Sequence, residues 1–350
     1  MSEWPMISVI VPMRNEAGHI GRCVRSILEQ DYPADRMEVL VVDGESDDNS
    51  REEAAACGPQ VRVLNNPGRI VPTAMNIGIR AARGEIIMRV DAHTTLSPDY
   101  ARIGVETLRR TGADNVGGPM HAIGGGRAAN AVAAAMGSRF GIGAYFHFGT
   151  EEREVDTVYM GMFPRRIFER IGLFDEELVR NQDDELNYRL RKSGGRIVLT
   201  PLMRSRYQNR TSFRKLARQF YQYGVWKVRV LQKHPRQMSP RQFVPPVFVA
   251  TVLLSALFGL VYSPFAWLCL AVLGAYVLAL SAASAITAQR AGWDLFFPIL
   301  LSFVIMHVSW GTGFLVGAVR FGSRWFGDEP QPPLLSSSSV ESSSSGWRSA

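Results

Sequence analysis

The feature that most constrains this chain is an apolar segment near its C-terminus. Between residues 244 and 319 only Arg290 and Asp294 carry a charge. Three apolar stretches can be drawn there: Val247–Tyr262, Phe265–Ile286 and Leu295–Val319. The last two are long enough to cross a hydrocarbon layer of about 30 Å, and the first is marginal. We predict a membrane domain of two to three transmembrane helices over residues 244–320. A buried helical domain is the alternative, although few polar residues remain for its outer face.

Positive charge is concentrated just before this segment. The net charge is +7, yet Pro201–Arg241 holds eleven Lys and Arg and no Asp or Glu. Anionic headgroups attract such a segment, and the positive-inside rule keeps it cytoplasmic. Ser212–Leu231 has an aromatic side and a basic side, so we expect residues 211–243 to form a basic interfacial region on anionic membrane lipids. Packing against the N-terminal domain is the alternative. No nucleic-acid motif accompanies the charge, so nucleic acid is not an expected partner.

The remaining composition favours a cytoplasmic N-terminal part. Three cysteines without paired spacing, Cys23, Cys57 and Cys269, favour a reducing compartment. The N-terminus has no signal-peptide architecture. We therefore predict a multi-pass protein of a bacterial-type inner (plasma) membrane, with its first 240 residues in the cytoplasm. The Ser-rich residues 321–350 are predicted to be a disordered tail.

The N-terminal part alternates strand and helix patterns. The predicted strands are Met6–Val11, Val39–Val42, Val61–Leu64 and Glu85–Val90. The predicted helices are Ile20–Leu28, Ser50–Cys57, Thr73–Ala82 and Asp183–Arg191. This alternation predicts an α/β domain over residues 1–210, with a mostly parallel sheet covered on both faces. No Gly-x-Gly-x-x-Gly follows the first strand and there is no Walker loop, which disfavours dehydrogenases and P-loop enzymes.

Two of the predicted strands end on acidic residues. Asp43 follows the second strand, and Asp91-Ala92-His93 follows the fourth. In an extended segment residues i and i+2 point the same way, so Asp91 and His93 can converge where open α/β sheets bind ligands. One oxygen and one nitrogen ligand, with open positions, suit a divalent cation holding a diphosphate. A turn-forming Asp43 and a capping role for Asp91 are the alternatives.

A third acidic cluster, Asn181–Leu186, begins the last predicted helix. Because adjacent helical residues diverge, only one of Asp183, Asp184 and Glu185 is expected to face a site, where it could remove a proton from a hydroxyl. A solvated helix start is the alternative. The Gly-rich stretch Asn115–Phe163 fits a mobile loop and irregular packing equally well.

Four segments follow one another in the same order as the motifs of a known family: Ser8–Glu16, Val42–Asp48, Asn76–Gly84 and Phe168–Glu176. The first contains a Pro-x-x-Asn-Glu turn, and the second is similar to an Asp-Gly-Ser-x-Asp motif. From Ile7 to about Trp226 the chain resembles a family 2 glycosyltransferase of the GT-A fold. This resemblance implies a mostly parallel, Rossmann-like α/β catalytic domain that binds a nucleotide-sugar.

The resemblance also implies roles for single residues. Four of them would line the nucleoside and phosphate pocket: Pro12, Glu16, Asp43 and Arg69. Asp91 and His93 would hold Mn²⁺ or Mg²⁺, with His93 at the last position of an Asp-x-Asp signature. Asp183 would be the catalytic base, and Gln182 replaces the Glu of the usual Glu-Asp pair.

The acceptor-side candidates are Gly161, Gln222 and Trp226. Gln222–Trp226 resembles the Gln-x-x-Arg-Trp motif of chain-elongating members, but Val225 stands where Arg is usual, so processive polymerisation is not expected. Within the family, the chain is most similar to membrane-anchored transferases of exopolysaccharide assembly, of the succinoglycan type. Those enzymes add a sugar to a lipid-pyrophosphate-linked acceptor.

The resemblance therefore implies an inverting hexosyltransferase that uses a nucleotide-sugar, with UDP favoured over GDP, and a lipid-linked saccharide acceptor. Two alternatives remain. A nucleotidyltransferase would normally show a Gly-rich, basic turn after the first strand, where this chain has Met13–Ala17. A membrane scaffold could keep the fold without activity. The sequence does not assign the oligomeric state, the linkage or the number of spans.

Overall fold

A computed structural model of the protein describes residues 4–141, 149–209, 212–325 and 335. The chain divides into two compact units. The first contains residues 4–121, 149–207 and 335, and the second contains residues 122–141 and 208–325. Residues 122–141 thus group with the C-terminal helices, although sequence analysis had counted them with the N-terminal domain.

Eleven strands occur in the described residues: β1 (Ile7–Met13), β2 (Met37–Asp43), β3 (Val61–Asn65), β4 (Ile86–Arg89), β5 (Thr94–Leu96), β6 (Asn115–Gly118), β7 (Met120–Gly124), β8 (Arg153–Glu154), β9 (Tyr159–Pro164), β10 (Ile197–Leu199) and β11 (Ser205–Asn209). Eight form one sheet in the order β3-β2-β1-β4-β9-β6-β10-β8, and three form a small sheet in the order β5-β11-β7. Strands β1 to β4 pair in parallel, and β9 runs antiparallel between β4 and β6.

The same part of the chain contains eleven α-helices: α1 (Ile20–Leu28), α2 (Ser50–Ala55), α3 (Val71–Ala81), α4 (Tyr100–Thr111), α5 (Arg127–Met136), α6 (Arg166–Ile171), α7 (Gln182–Lys192), α8 (Phe213–Lys233), α9 (Val244–Gly259), α10 (Ser263–Ala291) and α11 (Phe296–Arg320). The predicted strand–helix alternation is confirmed for each predicted element, with bounds that differ by one or two residues at most ends.

The large sheet is covered on both faces, which explains its continuous apolar strands. Ile7, Val9 and Val11 face a core that includes α1, whereas Ile10 and Leu40 face a second core that includes α3. A parallel strand buried on both sides has no solvent face on which polar residues could alternate. The predicted α/β class with a mostly parallel sheet is therefore confirmed.

Parallel pairing places the ends of the first four strands at one edge of the sheet. Met13 at the end of β1 lies opposite Asp43 at the end of β2, and Asp43 lies opposite Asn65 at the end of β3. On the other side of β1, Ile10 lies opposite Arg89, the last residue of β4. The loops that carry the predicted nucleotide and metal residues therefore start from the same edge.

The Gly-rich stretch 115–163 is regular in most of its described part. It contains β6, β7, α5, β8 and β9. Ala131, Val132 and Ala135 of α5 are buried against a cluster that includes Leu280 and Phe303. Between residues 115 and 141 this stretch is therefore packed secondary structure and not a loop.

The second unit holds three helices that are long and apolar enough to cross a membrane: Pro240–Gly259, Ser263–Ala291 and Trp293–Arg320. The basic helix α8 packs along α11 in the same unit, through glycines. A side chain at Gly313 would overlap the main-chain oxygen of Tyr221, and one at Gly317 would lie 2.6 Å from the main-chain oxygen of Val225. Small residues let the two backbones approach. The predicted contact of residues 211–243 with anionic membrane lipids stays a prediction.

The Ser-rich runs predicted to be disordered lie outside the described residues. The three cysteines are free thiols.

Candidate active site

The loops after β1 and β2 are joined by hydrogen bonds at the carboxyl edge of the sheet. The main-chain N–H of Asn15 donates to Ser46 Oγ at 2.9 Å, and the N–H of Asp47 donates to Asn15 Oδ1 at 3.0 Å. Ser46 Oγ in turn donates to Asp43 Oδ1 at 2.6 Å. The predicted nucleoside residues of the two loops are thus held in one arrangement.

Asp43 is buried, and both of its oxygens have partners. Oδ1 also accepts from the N–H of Ser46 at 3.2 Å, and Oδ2 lies 3.3 Å from Arg51 Nη1. Arg69 lies close by, because a side chain at Gly44 would stand 3.4 Å from its Cα, and its Nε donates to Glu45 at 2.6 Å. Asp43 and Arg69 therefore lie at the same end of the sheet.

Glu16 joins the first loop to the turn after β4. Its Oε1 lies 3.0 Å from His93 Nδ1, and its main-chain N–H donates to Ser50 Oγ at 2.7 Å. Burial lowers the pKa of His93, but the hydrogen bond to Glu16 and the nearby charge of Asp91 outweigh burial, so the pKa is raised. The predicted nucleotide and metal residues therefore meet at His93.

Asp91 and His93 lie in a turn, not in an extended strand. Strand β4 ends at Arg89, and the N–H of Thr94 donates to the carbonyl of Asp91 at 2.9 Å. The argument from strand alternation was therefore wrong for this pair. The two side chains are still close enough for the charge of each to shift the pKa of the other.

Arg89 joins Asp91 to Asp183, and sequence analysis missed it. Its Nε donates to Asp91 Oδ1 at 3.0 Å, its Nη2 lies 2.9 Å from the same oxygen, and its Nη1 pairs with Asp183 Oδ1. The arginine side chain is only 12% exposed. The available signal was a cation at the end of an otherwise apolar strand, beside the predicted metal-binding Asp.

The start of α7 presents its three acidic residues in different directions. Asp183 faces Arg89, whereas Glu185 is buried and pairs with Arg189 at 2.6 Å. The N-cap residue Asn181 has a φ of +62°. Helix geometry thus separates Asp183 from Glu185, as adjacent helical positions require.

Asp91 and Asp183 differ in their ionisation. Burial raises the pKa of Asp91, but Arg89 and His93 more than offset it, so that pKa is lowered. Burial also raises the pKa of Asp183, and there Arg89 offsets it only in part, so that pKa is raised. The side chain of Asp183 is still 43% exposed, so an incoming hydroxyl can reach it. The two carboxylates that contact Arg89 therefore have pKa values shifted in opposite directions.

Gly161 lies beside Asp183 and lines a cavity with it. The cavity holds about one water molecule and is also lined by Arg89, Asn115 and Asn187. A side chain at Gly161 would overlap Asn115 Oδ1, a buried oxygen with no hydrogen-bond partner among the described residues. Asn115 Nδ2 donates to Asn187 Oδ1 at 2.9 Å. Asn115, which sequence analysis also missed, therefore requires glycine at position 161.

Strained backbone is concentrated in this region. Within the described residues, five residues other than glycine have a left-handed φ: Asn15, Glu45, Arg69, Met160 and Asn181. Each lies in a loop or beside a residue discussed above. Such conformations cost of order 1 kcal/mol each and typically persist at functional sites, where surrounding contacts hold them.

The other candidates are Pro12, Gln222 and Trp226. Pro12 is in β1 opposite Val42. Gln222 and Trp226 belong to α8 in the second unit, where the Trp226 ring packs on Phe321 with centroids 5.6 Å apart. Within the described residues, no group of three His, Cys, Asp or Glu is placed to hold a metal ion.

Known proteins resemble this chain over most of its length. The model of "Glycosyl transferase family 2" matches residues 8–172. The succinoglycan biosynthesis protein ExoA of Rhizobium meliloti is 30% identical over 325 residues, which cover 90% of this chain and 96% of that protein. A dolichyl N-acetyl-alpha-D-glucosaminyl phosphate 3-beta-D-2,3-diacetamido-2,3-dideoxy-beta-D-glucuronosyltransferase of Methanococcus voltae is 27% identical over 65% of this chain and 74% of its own.

Among solved structures, the mannosyltransferase PcManGT from Pyrobaculum calidifontis, in complex with GDP-Man and Mn²⁺, aligns with a TM-score of 0.57. The two sequences are 22% identical, and the alignment covers 90% of this chain and 88% of the mannosyltransferase chain. The alignment shows a shared GT-A-like fold.

Proposed function

The chain belongs to glycosyl transferase family 2, and we propose that it transfers a hexose, with inversion, from a nucleotide-sugar to a lipid-linked saccharide in exopolysaccharide or cell-surface glycan assembly. UDP is the proposed nucleotide. The observation that carries the proposal is the meeting of residues from three strand-end loops and α7 at one edge of the sheet. Asp43, Glu16, His93, Asp91 and Asp183 are linked there through short polar contacts.

The nucleoside end of the donor is assigned to Pro12, Glu16, Asp43 and Arg69. Asp43 can accept hydrogen bonds from a ribose hydroxyl or a base N–H, as acidic groups do at this position of open α/β sheets. Arg69 offers a cation to the phosphates. Both side chains have internal partners in the free protein, Ser46 and Glu45, which the donor would replace in part.

The residues present fit a divalent cation that shares a diphosphate. His93 Nδ1 is bonded to Glu16, and such a bond to a carboxylate is how metal-binding imidazoles are commonly oriented. Asp91 supplies a carboxylate. With two protein donors, the other coordination positions fall to phosphate oxygens and water, as is usual for Mg²⁺ and Mn²⁺ in phosphate sites. Once bound, the cation supplies positive charge to the leaving diphosphate.

Asp183 is the proposed general base. Its carboxylate takes the proton of the acceptor hydroxyl as that oxygen attacks the anomeric carbon from the face opposite the diphosphate. The raised pKa of Asp183 favours proton uptake, and the partial exposure of its side chain leaves room for a sugar. Gly161 is proposed to keep the approach to Asp183 open, because any side chain there would overlap Asn115.

A membrane-held acceptor is supported by the second unit and by the relatives. Three apolar helices of membrane-spanning length would keep the enzyme at the lipid surface. The Methanococcus voltae relative is named for a dolichyl phosphate-linked sugar. We propose a multi-pass inner-membrane enzyme with a cytoplasmic first unit, in which anionic headgroups contact the basic segment. Gln222 and Trp226 are proposed to contact the acceptor.

The test incubates membranes that contain the protein with a panel of radiolabelled UDP- and GDP-sugars, with and without a chelator. Label is expected in the lipid extract with one donor and to disappear with the chelator. The matched control is membranes that contain Asp183→Asn. Absence of label with every donor would favour the inactive scaffold, and nucleotide joined to a sugar phosphate would favour a nucleotidyltransferase.

A further inference from the structure

We propose that in the free enzyme the Arg89 guanidinium occupies the cation position beside Asp91. When the donor binds, the guanidinium leaves this position to the cation. This inference rests on the proposed roles of Asp91 and Asp183, and it adds a residue that neither sequence nor family comparison assigns. Arg89 is a positioning residue that acts through these two carboxylates.

Arg89 contacts both carboxylates with different nitrogens of its guanidinium. Two guanidinium nitrogens of Arg89 lie 2.9 and 3.0 Å from one oxygen of Asp91, and a third pairs with Asp183. The planar fork of arginine presents separate nitrogens to two carboxylates, whereas lysine offers a single nitrogen on a flexible stem. Arg89 also belongs to a central strand, where its main chain is paired with Ile10 of β1. Its position is therefore set by the sheet and not by a loop.

Within the crevice Arg89 neutralises the two carboxylates and is itself largely buried. A dication bound to Asp91 would lie within a few ångströms of the guanidinium, and repulsion at that distance lowers cation affinity by at least about tenfold. A diphosphate brings negative charge that removes this penalty. Cation and donor are therefore expected to bind together, whereas the cation alone binds weakly.

When Asp91 turns to the cation, the guanidinium keeps its bond to Asp183 and orients that carboxylate. Asp183 is therefore held by Arg89 both before and after the donor binds.

The experiment measures Mn²⁺ binding to the full-length, detergent-solubilised protein by electron paramagnetic resonance, without nucleotide. Arg89→Gln is expected to bind Mn²⁺ at least about tenfold more tightly than the unmodified protein, while its sugar transfer falls. A residue with a merely structural role would weaken both when replaced. Arg110→Gln removes a surface arginine that pairs with Glu152 at 2.7 Å, and is the matched control with unchanged Mn²⁺ affinity.

Arg89→Lys separates charge from shape and serves if Arg89→Gln does not fold. It is expected to keep Mn²⁺ affinity within about threefold of the unmodified protein, because the positive charge remains, and to lose transfer because the fork is gone. Unchanged or weaker Mn²⁺ binding in Arg89→Gln, or full transfer in Arg89→Lys, would overturn the inference. Asp91→Asn distinguishes a failure of this inference from a failure of the proposed metal role of Asp91. If Asp91→Asn leaves Mn²⁺ binding intact, it is the metal role of Asp91 that has failed.

Discussion

The two units of this protein differ in whether their large apolar side chains are buried or exposed. In the first unit they are buried on both faces of the sheet, and among the described residues Leu202 is its one large apolar side chain that is clearly exposed. In the second unit such side chains face outward along the helices, including Leu253, Leu257 and Leu278. Only the first pattern is expected of a surface in contact with water.

The polar residues of the two units differ as well. The first unit gathers carboxylates, an imidazole and arginines at one edge of its sheet, with left-handed backbone in the loops that hold them. The second unit uses glycine and alanine to bring its helices together. The first unit thus contains the proposed active site, and the second contains the three helices that are long and apolar enough to cross a membrane.

The largest effect is expected from Asp183→Asn, which tests the chemical half of the comparison. Transfer should fall by about 10² to 10⁴, the range for loss of a general base, while nucleotide binding is retained. The measurement is the transfer rate of labelled sugar into lipid. Asp184→Asn alters the next carboxylate of α7 and is the control. Equal losses of transfer in the two variants would show that Asp183 is not the general base.

A lysine on an exposed apolar position separates lipid-facing from water-facing surface. Leu253 is 60% exposed in the second unit and Leu202 is 59% exposed in the first. Leu253→Lys should cost about 2.5–3.5 kcal/mol of membrane insertion, the cost of a charge near the centre of a spanning helix. Leu202→Lys should cost none. The measurement is the membrane-bound fraction after flotation, and equal behaviour would remove the proposed lipid contact.

A methyl group at Gly313 tests the packing of the second unit. The new carbon would overlap the main-chain oxygen of Tyr221, so Gly313→Ala should lower the free energy of unfolding by about 1–3 kcal/mol, as overpacking does. Gly274→Ala is the control, because nothing lies within 4 Å of the carbon it adds. Thermal unfolding in detergent measures both. A stable Gly313→Ala protein would mean that α8 and α11 do not approach so closely.

The smallest expected effect is that of pH. Protonation of Asp183 removes the base, so kcat/KM should fall about tenfold per pH unit below its pKa. That pKa is raised by burial, hence the acid limb should lie above the ordinary aspartate value of about 3.9. Membrane association should not change over the same range, since residues 244–289 carry no charge. An acid limb at or below about 3.9 would contradict the raised pKa.

The sequence predicted β1 to β4 because these strands are mainly apolar, whereas the other four strands of the large sheet were not predicted. Asp43 and Asp91 could be placed from the strand ends alone. The turn at Asp91 could not, because it depends on where pairing with β1 stops: the N–H of Val90 makes the last bond, to the carbonyl of Ile10.

Partners that are distant in sequence were also missed. Arg89 meets Asp183, 94 positions further along the chain, and no local pattern reports such a contact. Helix α5 was missed because its Ala-rich sequence has a weak helical pattern and its neighbours are Leu280 and Phe303 of the distant apolar helices. The position of Asn115 likewise depends on Asn187 and Gly161.

The central claim is that Asp91 belongs to donor binding and Asp183 to the chemical step at one edge of the sheet. Its most direct test is equilibrium binding of UDP and GDP, with and without Mn²⁺, to Asp91→Ala and Asp183→Asn. The account predicts that Mn²⁺-dependent affinity is lost in Asp91→Ala and retained in Asp183→Asn. Retention in Asp91→Ala, or equal loss in both variants, would contradict it.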